Sequence, residues 1–293
     1  MFIQLDRVSK RYGEKVVISD VSLQIHQGEC LVLMGDNGSG KTTLLRLLAG
    51  LIYPTEGEVL RKKNGGTKKT LNRKTGYAID RLPVTNFTAM EYLLAMGLMQ
   101  GLSKKEIQYQ TDKWFELFGL IEDKNEQIAS YSKGMRQKVN IMQSLLGDPE
   151  LLLLDEPLSG LDRNSQRNLI QLLLEYKKTK TTLVCASHEP YIVSELADRV
   201  AEMQRGKLIR LLQPEEIVTI DTTLVRVTNL SEAEAKLLST AEGIIELSIQ
   251  STQSKKEAEP ELTIIMHSSH SDLLLAHILA QGGSIQSVTK EEK

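Results

Sequence analysis

Apolar and polar positions alternate along the first 34 residues of the chain. The apolar segments lie at residues 2–5, 16–18, 21–25 and 31–34, and Gly13 and Gly28 punctuate them. Short segments with a period of two, bounded by glycine, are typical of antiparallel strands. The N-terminal part of the chain therefore predicts an antiparallel β subdomain that leads into a further strand at residues 31–34.

The spacing of apolar residues becomes helical from residue 43 onward. The first residues with this spacing are Leu44, Leu45, Leu47 and Leu48, and Gly50 is expected to end that helix. Further helices are predicted at residues 90–102, 104–119 and 136–146, the last after a serine-glycine turn. Because strand patterns flank this stretch, residues 82–147 predict a helical subdomain inserted into an α/β core.

Two later segments have the pattern of fully buried strands. Four consecutive leucines occupy residues 151–154, a helix is predicted at 167–176, and a second apolar segment follows at 181–187. Strands that are apolar at successive positions are typical of a parallel sheet covered on both faces. The fold class predicted for residues 1–215 is therefore α/β.

The last 78 residues, 216–293, predict a different order of strands and helices. Strands are predicted at residues 224–227, 244–250, 262–266 and 284–289, helices at 231–241 and 271–281, and a polar linker at 251–260. This βαββαβ order predicts a small α+β domain of the ferredoxin-like type. It is interpreted as an appendage that stabilises a dimer rather than as a regulatory ligand site, because no polar cluster has ligand spacing.

Composition narrows the class of protein. The 293 residues contain 41% hydrophobic residues, enough for two cores, and the net charge of −2 gives no general attraction to nucleic acid. Cys30 and Cys185 lie in apolar segments and are interpreted as reduced thiols of a cytosolic protein. No secretory signal and no membrane-spanning segment are predicted, so any membrane part is expected from another chain.

Two polar features of the sequence are interpreted as parts of the protein surface rather than as binding sites. The basic segment at residues 61–74 is expected to be a solvated hairpin tip, with a lipid-headgroup or partner contact as the alternative. His267, His270 and His277 do not favour a metal site, because only the last two could share a helix face.

The strongest chemical signal follows the strand at residues 31–34. Its residues are Gly35, Asp36, Asn37, Gly38, Ser39, Gly40, Lys41, Thr42 and Thr43. The spacing G-x-x-x-x-G-K-T between a strand and a helix predicts a P-loop that binds nucleotide phosphates through backbone N–H groups and the helix N-terminus. Lys41 is expected to reach the β- and γ-phosphates, and the Thr42 hydroxyl to bind Mg²⁺.

Carboxylates follow the leucine strand, at the sheet edge where α/β folds bind ligands. Asp155 is expected to hold Mg²⁺ and Glu156 to orient or deprotonate the attacking water. His188 ends the next strand, and a contact with the γ-phosphate is favoured over a surface position. Tyr12 is expected in the turn between the first strands, where it either stacks on adenine or has no specific partner.

One further segment indicates a family. It reads Tyr131, Ser132, Lys133, Gly134, Met135, Arg136 and Gln137. It is similar to the signature motif of ATP-binding cassette (ABC) transporter ATPases, which simple P-loop kinases and GTPases lack. Residues 1 to about 212 resemble this family, with six motifs in order.

The resemblance implies that two subunits each contribute residues to one ATP site. Tyr12 matches the aromatic residue that stacks on adenine, residues 159–162 including Asp162 resemble the D-loop, and His188 resembles the switch histidine. Ser132 and Gly134 match the anion-binding residues that face the ATP held by a second subunit. The implied assembly is a head-to-tail dimer, of two identical or paralogous chains, with ATP and Mg²⁺ between them.

Two departures from the commonest family pattern refine the expectation. Lys133 and Met135 replace the small residue after the serine and the glutamine of the signature, a form that resembles ABC-2 type exporters, whereas Ser132 and Gly134 are kept. Asp80 stands where the family usually has a glutamine that senses Mg²⁺ and the membrane partner. Asp80 is therefore a further expected metal contact, although it has no amide donor.

The favoured function is a cytoplasmic ATPase on the cytoplasmic face of the membrane that drives a separate ABC-2 type permease. An alternative is a soluble ABC-type ATPase that acts on ribosomes or DNA. A nucleotide sensor without hydrolysis is disfavoured by the presence of Glu156 and His188.

Overall fold

The computed structural model describes residues 2–63, 66–68, 74–213, 216, 221–230, 238, 244–250, 261–267 and 271–292. Its contacts divide the chain into two compact units, residues 1–212 and 213–293.

An antiparallel sheet covers the N-terminal part of the first unit. Its strands are β1 (Ile3–Tyr12), β2 (Lys15–Ile25), β4 (Glu56–Lys63) and β5 (Gly66–Lys68), in the order β2-β1-β4-β5. Tyr12 is the last residue of β1 rather than a turn residue, because it pairs with Lys15 and the turn is confined to Gly13 and Glu14. Part of the basic segment belongs to β4 and β5; residues 64–65 and 69–73 lie outside the described residues.

A six-stranded sheet forms the centre of the unit. It contains β3 (Cys30–Met34), β6 (Thr75–Ala78), β7 (Leu151–Asp155), β8 (Thr182–Ala186), β9 (Arg199–Gln204) and β10 (Lys207–Leu212). The order is β10-β9-β3-β8-β7-β6, and only β10 runs antiparallel to its neighbour. Strands β7 and β8 are buried at every position, which explains their unbroken apolar sequences. The predicted α/β fold with a parallel sheet is confirmed.

The helices of the first unit are α1 (Lys41–Ala49), α2 (Ala89–Met99), α3 (Lys104–Leu117), α4 (Lys133–Leu145), α5 (Arg163–Lys178) and α6 (Pro190–Leu196), and a short 3₁₀ helix spans Ile128–Ser130. Helices α2 and α3 begin with capping boxes at Thr88 and Ser103.

The predicted start of α4 at residue 136 is three residues late. Ser132 is the N-cap, and its hydroxyl accepts a hydrogen bond from the Met135 amide. The serine and glycine that indicated a turn are the cap and first turn of the helix.

Helix α4 lies directly on the edge strand β6. A Cβ atom on Gly76 would lie 1.8 Å from the carbonyl oxygen of Ser144 in α4. The Gln143 side chain donates to the Tyr77 carbonyl (2.6 Å), and the Asn140 side chain donates to the Ile79 carbonyl (2.5 Å). The inserted helical segment is therefore attached to the central sheet through the backbone of β6.

The second unit contains an antiparallel sheet. Its described elements are β11 (Asp221–Thr228), β12 (Ile244–Gln250), β13 (Glu261–His267), α7 (Ser271–Ala280) and β14 (Ser284–Glu292). The strand order is β12-β13-β11-β14, and buried Val225, Ile264 and Ile278 are part of its core. The predicted helix at 231–241, except for buried Leu238, and the linker at 251–260 lie outside the described residues. The βαββαβ order therefore stays a prediction.

Two of the three histidines of this unit belong to described elements. His267 ends β13 and His277 is an exposed residue of α7, whereas His270 lies outside the described residues. Within the described part of the chain, neither histidine belongs to a group of three or more histidine, cysteine or acidic residues that could hold a metal ion.

Replacing Gly76 with alanine is expected to destabilise the first unit by about 2–3 kcal/mol or more, because the added Cβ meets the backbone of α4 rather than a movable side chain. The midpoint of urea denaturation measures this. Gly101→Ala is the matched control, since nothing lies within 4 Å of its Cβ position and its φ of +85° alone should cost about 1 kcal/mol. Equal midpoints for the two variants would show that Gly76 is not closely packed.

Candidate nucleotide site

The loop between β3 and α1 has the backbone conformation that its glycines allow. Gly35, Gly38 and Gly40 have φ angles of +142°, +83° and +108°. A Cβ on Gly35 would lie 2.1 Å from the Met203 carbonyl oxygen, so this position admits no side chain. Gly40 is the N-cap of α1 and supplies no side-chain cap. The amides of the first turn therefore have no helical acceptor and can bind an anion.

The Lys41 side chain is buried inside this loop. Its Nζ donates to the carbonyl oxygens of Gly35 (2.5 Å) and Asp36 (3.3 Å). The ammonium group is therefore held where the loop closes, next to the free amides. A positive charge close to amides that have no helical acceptor suits a phosphate.

A cavity of about 410 Å³ opens beside the loop. It is lined by Asn37, Gly38, Gly40, Lys41, Thr42, Thr43, Asp80, Asp155 and Glu156, together with Lys15, Val16, Val17 and Arg205. The structure thus brings together the P-loop and the three carboxylates that the sequence analysis singled out. They come from the ends of β3, β6 and β7, which are close in the sheet although far apart in the chain.

Asp155 is the most buried of the three carboxylates. Its Oδ2 atom has no hydrogen-bond partner among the described residues. Burial raises the pKa of Asp155, and the nearby charges of Asp80 and Glu156 raise it further, whereas a hydrogen bond from Thr42 lowers it. A positive charge at this point would relieve the repulsion among the carboxylates.

These donors fit a magnesium ion. Mg²⁺ is commonly bound by one or two carboxylates, water and substrate phosphates rather than by a complete protein cage. The orphaned Oδ2 of Asp155 and the Thr42 hydroxyl provide hard oxygen ligands beside the phosphate loop.

Glu156 is held in place by its backbone and by a histidine. Its φ of +47° is unusual for a residue other than glycine, and its amide donates to the Ala186 carbonyl (2.9 Å). The Nδ1 atom of His188 lies 3.0 Å from Oε2 of Glu156 and 3.2 Å from Oε1. His188 does not line the cavity itself, so its described contact is with the carboxylate.

The signature segment lies outside this cavity. Ser132 and Gly134 begin α4, and a Cβ on Gly134 would lie 2.4 Å from the Gly160 carbonyl oxygen. Asp162 is the N-cap of α5, and its hydrogen bonds with Ser165 lower the pKa of Asp162 to about 2. None of these residues lines the cavity, as expected if they serve a second subunit's nucleotide.

Tyr12 is likewise absent from the cavity lining. Its side chain is about half exposed (48%), and the Lys10 Nζ atom lies 5.3 Å from its ring centroid.

Gly35, Asp36 and Ser39 belong to the loop but do not line the cavity either. The Ser39 hydroxyl is buried without a hydrogen-bond partner among the described residues.

Two cations at the cavity were missed in the sequence analysis. Lys15 comes from β2, and Arg205 from the turn between β9 and β10. The amide of Gly206 donates to the Ser39 carbonyl (2.9 Å), which holds this turn against the P-loop. In the sequence, Arg205 followed by Gly206 indicates a tight turn between two strands, but it does not indicate a contact with the P-loop. Its position beside the loop depends on β9 pairing with β3.

Comparison with known proteins identifies the family. The family model described as "ABC transporter" matches residues 18–159. Over 208 residues, the chain is 34% identical to the uncharacterized ABC transporter ATP-binding protein YxlF of Bacillus subtilis, covering 70% of this chain and 69% of that protein. The chain belongs to the ABC transporter ATP-binding proteins. The predicted family and ATPase function are thereby confirmed.

Two further similarities extend this result. The chain is 32% identical over 220 residues to the Nod factor export ATP-binding protein I of Rhizobium johnstonii, with 74% of this chain and 70% of that protein covered. The dimeric structure of MJ0796, a bacterial ABC transporter cassette, matches with a TM-score of 0.65 and 26% identity, over 72% of this chain and 98% of that one. In this ABC ATPase, as far as the chain is described, no helix is long and apolar enough to cross a bilayer.

Arg205→Gln is expected to raise the Kd for ATP about three- to ten-fold, because it removes an exposed cation from the nucleotide cavity. Isothermal titration calorimetry at low and high salt measures the change, which should shrink as salt rises. Lys207→Gln removes the same charge two residues away, outside the cavity lining, and should leave the Kd unchanged. Equal Kd values for the two variants would exclude a nucleotide contact by Arg205.

Proposed function

We propose that this ATPase forms one half of a head-to-tail pair that hydrolyses Mg²⁺-bound ATP and drives a separate ABC-2 type exporter in the membrane. The observation that carries this proposal is the joint lining of one cavity by Lys41, Thr42, Asp155 and Glu156. A phosphate loop, oxygen ligands and a base at one site are the parts required for phosphoryl transfer to water.

Within one subunit, the loop residues 35–43 and Lys41 bind the phosphates. Thr42 and Asp155 would hold the metal ion, with Asp80 as a further oxygen donor. When bound, Mg²⁺ neutralises charge on the β- and γ-phosphates. Because Asp80 is exposed and ion-paired with Arg81 (3.5 Å), its contribution would come through water.

Glu156 acts on the attacking water. The carboxylate accepts a proton as the water oxygen forms a bond to the γ-phosphorus, and the bond to the β-phosphate oxygen breaks to release ADP. His188 would fix the orientation of the carboxylate through its Nδ1 atom. A contact between His188 and the γ-phosphate stays a prediction. Lys41 stabilises the negative charge on the transferred group.

The second subunit would complete each site. Ser132 and Gly134 stand at the N-terminus of α4, where the helix dipole and amide groups favour a phosphate. Support comes from the exposure of Ser132 outside the cavity of its own subunit and from the dimeric MJ0796 cassette. Tyr12 stacking on adenine and Asp162 at the subunit contact belong to the same proposal.

The membrane partner would dock near Asp80. Val84 and Phe87, a few residues further along, are large apolar side chains with 67% and 56% of their surface exposed. Exposed apolar residues in one segment suit a contact with another protein. Support for an exporter comes from the relative named for Nod factor export and from the form of the signature segment. The subunit would work at the cytoplasmic face of the membrane.

Glu156→Gln is expected to lower kcat at least 100-fold, because an amide cannot accept the proton from water. The Kd for ATP should change less than about three-fold, and the variant should form an ATP-dependent dimer. Phosphate release and light scattering after gel filtration measure these effects. Glu195→Gln, on the exposed surface of α6, is the control and should retain full turnover. Normal turnover in Glu156→Gln would refute this role.

Replacing Val84 and Phe87 together with aspartate should abolish binding of the purified protein to membranes that contain its permease, since charge at this surface opposes apolar contact. Co-sedimentation with vesicles prepared from the native cells measures binding. Ile209→Asp, on exposed strand β10, is the control and should still bind. Retention on ribosomes rather than on membranes would favour the alternative function.

A further inference from the structure

The first turn of α4 lies directly against the loop between β7 and α5, residues 156–162, here called the 156–162 loop. The Gly160 carbonyl oxygen lies 2.4 Å from where a Cβ of Gly134 would be. Gly160 itself has a φ of +78°. The two backbones therefore touch, and glycine at both positions permits this approach.

Lys133 covers this contact from the outside. Its Nζ atom donates to the Ser159 hydroxyl at 2.8 Å. Its Cγ and Cδ atoms each lie 3.2 Å from the Cβ position of Gly160. The aliphatic part of the side chain thus packs on the loop, while the ammonium group is anchored at the loop's centre.

Two more side chains from the same face of α4 hold the ends of the loop. Gln137 donates through Nε2 to the carbonyl oxygens of Glu156 and Pro157, both at 3.2 Å. The Lys138 Nζ atom lies 3.5 Å from Oδ2 of Asp162. Residues 133, 134, 137 and 138 share one helix face, so this face of α4 fixes the loop along its length.

We propose that Lys133 is a positioning residue for ATP hydrolysis that acts through Ser159. By joining the first turn of α4 to the 156–162 loop, it makes Ser132 and Glu156 move as one body. This inference rests on the proposed function, in which Ser132 meets the nucleotide held by the partner subunit. Engagement of that nucleotide is then transmitted through α4 to Glu156, which acts on the other nucleotide of the pair.

Steady-state ATP hydrolysis by the full chain tests this inference with Lys133→Met, Ser159→Ala and the double variant. Each single change should lower kcat about five-fold and leave KM within two-fold, because a charge-assisted hydrogen bond that positions the base is lost. The double variant should be no slower than either single variant, because both remove the same interaction. Lys133→Arg, which can still donate to Ser159, should retain most of the activity.

Lys104→Met is the matched control. Lys104 is also an exposed lysine that follows a serine N-cap, at the start of α3. It should show wild-type kcat, and all variants should share the wild-type thermal midpoint. Multiplicative effects of about 25-fold in the double variant, a change confined to KM, or no change in kcat would each overturn the inference. The trapped dimer of Glu156→Gln tests the proposed function separately, so the two failures are distinguishable.

Discussion

The attachment of helix α4 to the carboxyl ends of two core strands determines the geometry of the candidate site. Three amide side chains of α4, spaced three residues apart, donate to backbone carbonyl oxygens near these strand ends. Gln137 donates to Glu156, Asn140 to Ile79 and Gln143 to Tyr77. Buried carbonyl groups without such donors would be costly. The inserted helical segment therefore cannot shift without disturbing the backbone next to Asp80 and Glu156.

Charge is unevenly distributed around the cavity. Asp80, Asp155 and Glu156 lie on the β6–β7 side, whereas Lys41, Lys15 and Arg205 come from the P-loop, β2 and the β9–β10 turn. Such an arrangement suits a ligand that combines polyanionic phosphates with a divalent cation. Among the described residues, the Oδ2 atom of Asp155 has no hydrogen-bond partner, so none of these three cations is paired with it.

Features encoded by short local patterns were the most predictable. The P-loop, the buried strands β7 and β8 and the end of α1 at Gly50 follow from a few adjacent side chains. Arg205 could not be found in this way, because its proximity to Gly38 depends on a strand pairing between distant segments. The start of α4 was misjudged because serine and glycine indicate both a turn and a capped helix. Adenine stacking was predicted for Tyr12 because its side chain is aromatic. The surroundings of Tyr12 depend on the pairing of β1 with β2.

The position of β3 has a consequence for biosynthesis. This strand lies between β8 and β9, and Cys30 pairs with Leu183, about 150 residues later in the chain. At roughly 5–20 residues per second, the ribosome completes those neighbours about 10–30 s after β3 emerges. During this interval, an apolar strand with two open edges has no native partner and invites association with other nascent chains. The order of the strands thus leaves the edges of β3 exposed on the nascent chain until the last core strands are synthesised.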